Sequence, residues 1–343
     1  MKKLDLNNNE KILGIGEIML RLTPANMSKI IQASSFDATY SGAEANVMCS
    51  LSIFGHDTKI VTKLPNNELG NKVTRDMRAF GVDISDVVYG DGRLGIYFLE
   101  QGYGLRSSEV IYDRKYSAIS MVNENEFNID KILRNVKLLH ISGITPALSR
   151  ELYKLTINLA KEAKKRGIAV CFDSNYRAKL WTIEEARELI EEILPYVDIA
   201  FLGILDLKNI LKYSVDEEIG FKEELTVLYG KLFDKYRNLK YVSSTKRVVT
   251  SINNNSLQGF LFDGQTLYTS NIHTFDILDR VGGGDSFTAG VLHGILKDMR
   301  NEEIIEFGTC ASVLKHSIRG DINLVSKSDI ESLMKSGIEN IKR

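Results

Sequence analysis

The sequence is poor in the residues that mark several classes of protein. Its 343 residues include three cysteines, four prolines and one tryptophan. Cys49, Cys171 and Cys310 are far apart and odd in number, and none lies in a Cys-x-x-Cys pair. This spacing argues against a disulfide framework and against a cysteine-rich zinc site. It favours a reducing compartment, so we expect a cytoplasmic protein.

Long apolar runs and an excess of one charge are also missing. No apolar segment approaches the roughly 18 residues that a membrane-spanning helix needs, and charged residues interrupt the first 17 positions, which argues against a secretory leader. The net charge of −1 provides no field that would attract nucleic acid or an anionic membrane. We therefore expect neither as a partner.

What the sequence does contain is an alternation of short apolar strands with helices. Strands are predicted at residues 11–15, 58–62, 138–142, 168–173, 199–202 and 241–243. Helices are predicted at residues 43–54, 70–80, 149–166, 183–194, 286–296 and 302–316. This alternation is typical of one α/β domain, here residues 1–343, whose mostly parallel sheet is covered on both faces.

Two segments depart from the alternation. Residues 17–41 and 94–120 are rich in β-prone stretches, and the second surrounds the glycine-rich turn 102–104, which predicts a hairpin. Residues 248–272 predict a β-meander with a tight turn at Asp263-Gly264. We expect 17–41 and 94–120 to form a small β-sheet lid over a cleft at the carboxyl ends of the parallel strands.

Residues 279–287, DRVGGGDSF, carry the most informative chemical pattern. Gly282, Gly283 and Gly284 precede a helix, whose free N–H groups and positive dipole end suit a phosphate. The carboxylate of Asp285 would repel a phosphate, but it can accept the proton of a hydroxyl that attacks one. Taken alone, the motif fits an ordinary helix start equally well.

Polar residues near the predicted lid have a binding and a structural interpretation. Asn46, in the segment Gly42-Ala43-Glu44-Ala45-Asn46, can hydrogen-bond sugar hydroxyls or belong to a helix cap. Tyr112 and Arg114 share one face of a strand, and Arg114 can bind a carboxylate. A cross-strand pair on the surface is the alternative for Tyr97, Tyr112 and Arg114.

Further polar clusters follow predicted strands. Arg177, in Asp173-Ser174-Asn175-Tyr176-Arg177, can bind an anion or belong to a turn. Ser243, Thr245 and Arg247 can reach nucleotide phosphates, and Asp321 can accept a hydrogen bond from a sugar hydroxyl. None of the five histidines lies in a ligand-spaced pair, so we expect all five to be structural.

In combination, these residues resemble the ribokinase-like (phosphofructokinase-B type) carbohydrate kinases over nearly the whole chain, from Gly14-Ile15-Gly16-Glu17 to Asp321. The resemblance implies a three-layer α/β/α fold with a small β-sheet lid. It also implies that Asp285 is the catalytic base, that Gly282, Gly283 and Gly284 form the anion hole, and that ATP and Mg²⁺ are used. A monovalent cation is compatible with it, and so is a homo-oligomer, either a dimer through the lid or a higher assembly.

Within that family the chain is most similar to the kinases of 2-keto-3-deoxygluconate. Arg21 stands where many kinases of neutral sugars carry an aspartate. The similarity implies ATP-dependent phosphorylation of the terminal hydroxyl of this sugar acid. It implies substrate contacts at Gly42, Asn46, Tyr97, Tyr112, Arg114, Arg177 and Asp321. It implies ATP contacts at Ser243, Thr245, Arg247, Gly282 and Gly284.

The chain departs from the family at the Asn-x-x-Glu segment associated with magnesium. Residues 201–206 read Phe-Leu-Gly-Ile-Leu-Asp there, with no asparagine and with only Asp206 and Asp198 as nearby acids, so no metal ligand is predicted. Two alternatives stay open: a fructokinase or other neutral-sugar kinase of the family, and a catalytically weak regulator that binds sugar or nucleotide. A dehydrogenase is disfavoured, because Gly14-Ile15-Gly16 lacks the third glycine of a dinucleotide site.

Overall fold

The computed structural model describes residues 10–215 and 219–336. Its strands are β1 (Lys11–Ile15), β2 (Met19–Pro24), β3 (Phe36–Ser41), β4 (Thr58–Val61), β5 (Lys63–Pro65), β6 (Val88–Gly90), β7 (Ile96–Glu100), β8 (Glu109–Asp113), β9 (Val136–Ser142), β10 (Ala169–Asp173), β11 (Ile199–Phe201), β12 (Tyr241–Ser251), β13 (Asn254–Phe262), β14 (Leu267–Thr269) and β15 (His273–Asp276). Its helices are α1 (Ala43–Ile53), α2 (Glu68–Ala79), α3 (Ile129–Ile132), α4 (Arg150–Lys165), α5 (Ile183–Ile193), α6 (Phe221–Lys235), α7 (Gly283–Leu296), α8 (Asn301–Lys315) and α9 (Lys327–Ser336).

The large sheet has the strand order β14-β13-β12-β11-β10-β9-β1-β4, with β15 also paired to β13. The six strands from β12 to β4 are parallel, and β13, β14 and β15 add antiparallel pairs at one side. Parallel neighbours need long crossover connections, which here contain helices such as α4 and α5. The predicted mostly parallel sheet is therefore confirmed.

Successive side chains of the buried strands enter two separate cores. In β10, Val170 and Phe172 belong to a core covered by α4, α5 and α6. Ala169 and Cys171 belong to a second core, covered by α1, α2, α7, α8 and α9. Neighbouring residues of a strand point to opposite faces, so a continuously apolar strand has to be covered on both. The predicted three-layer α/β/α architecture is present.

A separate four-stranded sheet has the order β3-β2-β7-β8. It is built from residues within 17–41 and 94–120, and β7 and β8 form the predicted antiparallel hairpin, with Tyr97 opposite Tyr112. Strand β2 pairs antiparallel with β3 and parallel with β7. We call this unit the small sheet.

Two element boundaries differ from the prediction by more than two residues. Strand β12 continues without a break from Tyr241 to Ser251, because its second half pairs with β13. Helix α7 begins at Gly283 and not at Ser286, since the chain enters the helix directly after Gly282. Two of the three glycines therefore belong to the first helical turn. Helix α9, after Asp321, was not predicted.

None of the helices in the described ranges is both long enough and apolar enough to cross a bilayer.

Candidate active site

Three aspartates come together at the carboxyl edge of the large sheet. Asp173 ends β10, Asp206 follows β11, and Asp285 lies in the first turn of α7. Burial raises the pKa of Asp173 to about 7, and the nearby charges of Asp285 and Asp206 contribute to the rise. Burial also raises the pKa of Asp206. Acids crowded in this way favour the binding of a cation.

Asp285 is held by Asn46 of helix α1. The Asn46 Nδ2 atom donates a hydrogen bond of 2.7 Å to Oδ2 of Asp285. Burial raises the pKa of Asp285 to about 6, while the bond from Asn46 and the charge of Arg177 act in the opposite direction. A carboxylate with this pKa is ionised at neutral pH and can still accept a proton.

Gly282 gives α7 its exposed first turn. It has φ = 85°, and a Cβ atom there would lie 1.9 Å from the carbonyl oxygen of Asp321. Gly284 has no neighbour that a Cβ would meet within 4 Å. The first amides of α7 have no carbonyl partner inside the helix, and this positive end of the helix dipole is accessible to solvent at Gly284.

Two arginines lie beside this helix start. Arg247 of β12 places its Nη2 atom 3.2 Å from Nε2 of His316, and the His316 ring packs on the Cα of Gly283. Burial and the charge of Arg280 lower the pKa of Arg247 to about 10. Burial and the charge of Arg247 lower the pKa of His316 to about 3, so the imidazole is neutral. No carboxylate in the described part of the chain forms a salt bridge with Arg247 or Arg280.

The two other residues predicted to contact ATP lie on the same strand. Ser243 is fully buried, and its hydroxyl donates to the carbonyl of Phe260 at 2.8 Å. Thr245 is exposed. The structure therefore leaves Thr245 accessible to a nucleotide, and the hydroxyl of Ser243 occupied.

Asp321 and Tyr97 lie together in a buried cluster. The carboxylate of Asp321 accepts hydrogen bonds from Arg21, from Tyr97 and from the Ser41 hydroxyl, the last at 2.5 Å. Arg21 also pairs with Asp279 at 2.6 Å. Burial alone would lower the pKa of Arg21, but the two carboxylates raise it. Asp321 and Tyr97, both predicted to contact substrate, are thus bonded to each other, and Asp321 is also paired with Arg21.

Gly42 is required by the packing of the backbone. It immediately precedes α1, and a Cβ atom there would lie 1.9 Å from the carbonyl oxygen of Glu17. Glu44, two residues later, is buried and accepts bonds from Ser142 and Thr145. Within this segment only Asn46 reaches the aspartates.

Tyr112, Arg114 and Arg177 line one cavity of about 1170 Å³ between β8 and the loop after β10. Arg114 pairs with the buried Glu17, and its guanidinium lies 5.6 Å from the centre of the Tyr112 ring. The Nε of Arg114 and the Oε1 of Glu17 are buried and have no hydrogen-bond partner among residues 10–215 and 219–336. Arg177 is exposed, and its charge lowers the pKa of both Asp173 and Asp285. The cavity is therefore cationic through Arg177 and the lysines Lys115 and Lys179 on its wall, and the charge of Arg177 also acts on the aspartates, which do not themselves line the cavity.

Sequence reasoning missed four residues of this region. Arg280 lies inside the glycine motif, and Glu17 follows β1. Asp173 stands in the polar cluster that ends at Arg177. Lys315 is fully buried and donates to the carbonyls of Asp279 and Ile318, each at 3.3 Å. Of these, only Asp173 could have been found, since an acid at the carboxyl end of a parallel strand is a recognisable pattern.

Comparison with known proteins gives consistent results. A 2-dehydro-3-deoxygalactonokinase of Haloferax volcanii is 31% identical to this chain over 97% of its length and 99% of the relative. A 2-dehydro-3-deoxygluconokinase of Bacillus subtilis is 25% identical over 90% of both proteins. The crystal structure of a 2-dehydro-3-deoxygluconokinase from Thermotoga maritima shares 40% identity with a TM-score of 0.91, and covers 94% of this chain and 99% of that one.

The family described as pfkB family carbohydrate kinase matches residues 9–327. This range includes both sheets, the three aspartates and the glycine motif. The chain belongs to the pfkB family of carbohydrate kinases.

Proposed function

We propose that the protein transfers the γ-phosphoryl group of ATP to the terminal hydroxyl of 2-dehydro-3-deoxy-D-gluconate. The products are 2-dehydro-3-deoxy-6-phosphogluconate and ADP. The three relatives described above are all named as kinases of 2-dehydro-3-deoxy sugar acids, which supports this substrate class.

The cationic cavity is the observation that carries the proposal. Arg114 and Arg177 come from different elements and line the same space. Arg177 forms no salt bridge with a carboxylate of the described residues, and guanidinium groups bind carboxylates in a bidentate manner. A sugar acid bound through its carboxylate here would extend its other end towards Asp285, whose pKa Arg177 influences. The small sheet then acts as the lid.

Asp285 is the proposed catalytic base. The terminal hydroxyl oxygen attacks the γ-phosphorus, the bond from that phosphorus to the ADP oxygen breaks, and the hydroxyl proton passes to a carboxylate oxygen of Asp285. Asn46 fixes the carboxylate through its 2.7 Å bond. The amides at Gly282, Gly283 and Gly284 stabilise the charge that develops on the phosphoryl oxygens.

The nucleotide phosphates are proposed to lie between α7 and β12. The free amides of the α7 start and the uncompensated charges of Arg247 and Arg280 converge there. Thr245 is accessible on the same strand. We leave Ser243 out of the site, because its hydroxyl is bonded inside the sheet.

Kinases of this family use ATP with Mg²⁺, and the acids at the sheet edge fit that ion. Mg²⁺ prefers oxygen ligands and is usually held by one or two carboxylates together with substrate phosphates. Asp173 and Asp206 offer such oxygens, and burial raises the pKa of both carboxyl groups, a rise that a bound cation would oppose. Bound there, the ion would neutralise the phosphates of ATP. Asp206 lies in the segment after β11, where the family resemblance places Asn-x-x-Glu.

A substrate panel tests the proposal. ADP release is measured with 2-dehydro-3-deoxygluconate, its galactonate epimer, fructose and ribose. Arg177→Ala should lower kcat/KM for the sugar acids by roughly 10- to 150-fold, which is the value of one hydrogen bond to a charged group. Arg93→Ala is the matched control, because Arg93 is an exposed arginine of the same region paired with Asp113.

Each rival predicts a different result. A preference for fructose, together with an unchanged kcat/KM in Arg177→Ala, would identify a neutral-sugar kinase. Binding of sugar or ATP without ADP release would identify a regulator. Preference for the galactonate epimer would keep the mechanism and change the substrate.

A further inference from the structure

A histidine, a glutamate and a cysteine meet where helix α8 packs against strand β15. His273 begins β15, and Glu306 and Cys310 lie one turn apart on α8, so they share a face of that helix. The Nε2 atom of His273 lies 2.8 Å from Oε1 of Glu306. The Sγ atom of Cys310 lies 3.7 Å from that nitrogen and 3.5 Å from that oxygen. Three different donor atoms therefore form a closed triangle.

The triangle has nearly the dimensions of one face of a tetrahedral zinc site. With Zn–S near 2.3 Å and Zn–N and Zn–O near 2.0–2.1 Å, tetrahedral angles place sulfur about 3.6 Å from each of the other ligands, and nitrogen about 3.3 Å from oxygen. The two edges at Cys310 match these values closely. The edge between His273 and Glu306 has to open by roughly half an ångström, which a small rotation of the glutamate side chain provides.

Asn271 already orients the glutamate. Its backbone N–H donates to Oε2 of Glu306 at 2.8 Å, and its side-chain amide donates to Oε1 at 3.3 Å. Outer partners of this kind fix ligating carboxylates in known metal sites. The carboxylate therefore keeps its position without the ion.

Solvent reaches one side of the triangle. The side chains of His273 and Glu306 are 18% and 14% exposed, and Cys310 is buried on the protein side. An ion can therefore enter from solvent, and a water can complete a fourth position. Without a cation, burial and the charge of Glu306 keep the Cys310 thiol protonated by raising its pKa. A divalent ion reverses that balance, because it binds the thiolate directly.

We propose that His273, Glu306 and Cys310 bind one Zn²⁺ per chain, with a water as the fourth ligand, and that the ion joins β15 to α8. A set of nitrogen, sulfur and oxygen donors suits zinc, whereas Mg²⁺ prefers oxygen alone. Spacing along the sequence does not reveal this set, because His273 and Glu306 are 33 residues apart. The proposal is independent of the sugar and of the nucleotide, and of the acids that we assign to Mg²⁺.

Cobalt titration of the full-length, chelator-stripped protein tests the proposal, with Co²⁺ as the probe. We expect a thiolate-to-cobalt charge-transfer band in the near ultraviolet that saturates at one equivalent and disappears when Zn²⁺ is added. Cys310→Ser should abolish the band. His273→Gln should weaken binding by about 100-fold or more, at or beyond the upper end of the range of about 10–100-fold seen when only an outer partner is lost. Cys171→Ser is the matched control, since its thiol lies 3.3 Å from Nδ1 of His140 with no carboxylate in that pair.

The remaining outcomes are also decisive. Co²⁺ at the aspartates would give no thiolate band, and Asp206→Asn removes that background. The glutamine amide of His273→Gln can still donate a hydrogen bond to Glu306, so this variant should keep the local contact between β15 and α8. It therefore tests the site even if the cysteine variant does not fold. Absence of the band in the wild-type protein, or a band unchanged in His273→Gln, overturns the proposal.

Discussion

The hydrogen bond from Asn46 to Asp285 should set the acidic limb of the pH–rate profile. Asp285 must be ionised to accept a proton, so activity rises with pH through its pKa, which burial raises to about 6. In Asn46→Ala the carboxylate loses the donor that lies 2.7 Å from it and that lowers this pKa. The pKa should therefore rise, and the acidic limb should move to higher pH.

The size of the shift follows from the strength of the bond. A hydrogen bond to a charged group contributes about 1.5–3 kcal/mol, and one pKa unit corresponds to about 1.36 kcal/mol. The limb should therefore move by about 1–2 units, to roughly pH 7–8. At pH 7 the ionised fraction of Asp285 falls from about nine tenths to about one quarter for a shift of 1.5 units, and the difference vanishes near pH 9.

The assay is kcat/KM for the sugar acid between pH 5 and 9, because this ratio reports the pKa values of the free enzyme. Asn254→Ala is the matched control. It removes an asparagine–aspartate bond of similar length, 2.8 Å to Asp276, on the exposed edge of the large sheet. A limb that stays within about 0.3 units of the wild-type position, with only a lower plateau, would refute the reasoning and make Asn46 a substrate contact alone.

Three further predictions concern the other groups of the site. Asp285→Asn should lower turnover by about 10²–10⁴-fold, while equilibrium dialysis shows ATP binding within a few-fold of wild type; near-normal turnover would contradict the base assignment. Arg280→Gln should raise the KM for ATP by about tenfold or more and leave the KM for the sugar acid unchanged; an equal effect on both would place Arg280 elsewhere. Arg21→Met should lower the free energy of unfolding in urea by about 3–5 kcal/mol, because it leaves Asp279 and Asp321 buried without their cation. The exposed pair of Arg93 is the control, and Arg93→Met should change stability little.

Local sequence patterns predicted most of the fold. The apolar runs predicted β1, β9 and β10 to within two residues. A strand that is buried on both faces is continuously apolar, so its ends coincide with the ends of the apolar run. The glycine motif and Asp285 were recognised because their chemistry depends on neighbours in the chain. The aspartate, the glycines and their helix are all contained in residues 279–296.

The unpredicted part of the site depends on pairs that are distant in sequence. Asp321 looked like a free substrate contact, but its partner Arg21 lies 300 residues earlier. Gly42 looked like a place for a ligand, and the group that actually approaches it is the backbone of Glu17. The closeness of Arg247 and Arg280 follows from how β12 lies beside the loop before α7, which no local pattern specifies. The predicted oligomeric state stays a prediction.

The ion pairs of Arg21 also bear on how the chain is made. Arg21 lies on β2, while its partners Asp279 and Asp321 follow 258 and 300 residues later. Since synthesis proceeds at roughly 5–20 residues per second, about 15–60 s pass between the synthesis of Arg21 and that of Asp321. The small sheet can pair its own strands during that time, but its ion pair with Asp321 cannot form until that residue has been synthesised. A nascent chain that stops before Asp321 therefore lacks this anchor, which makes docking of the small sheet a late event relative to the pairing of its strands.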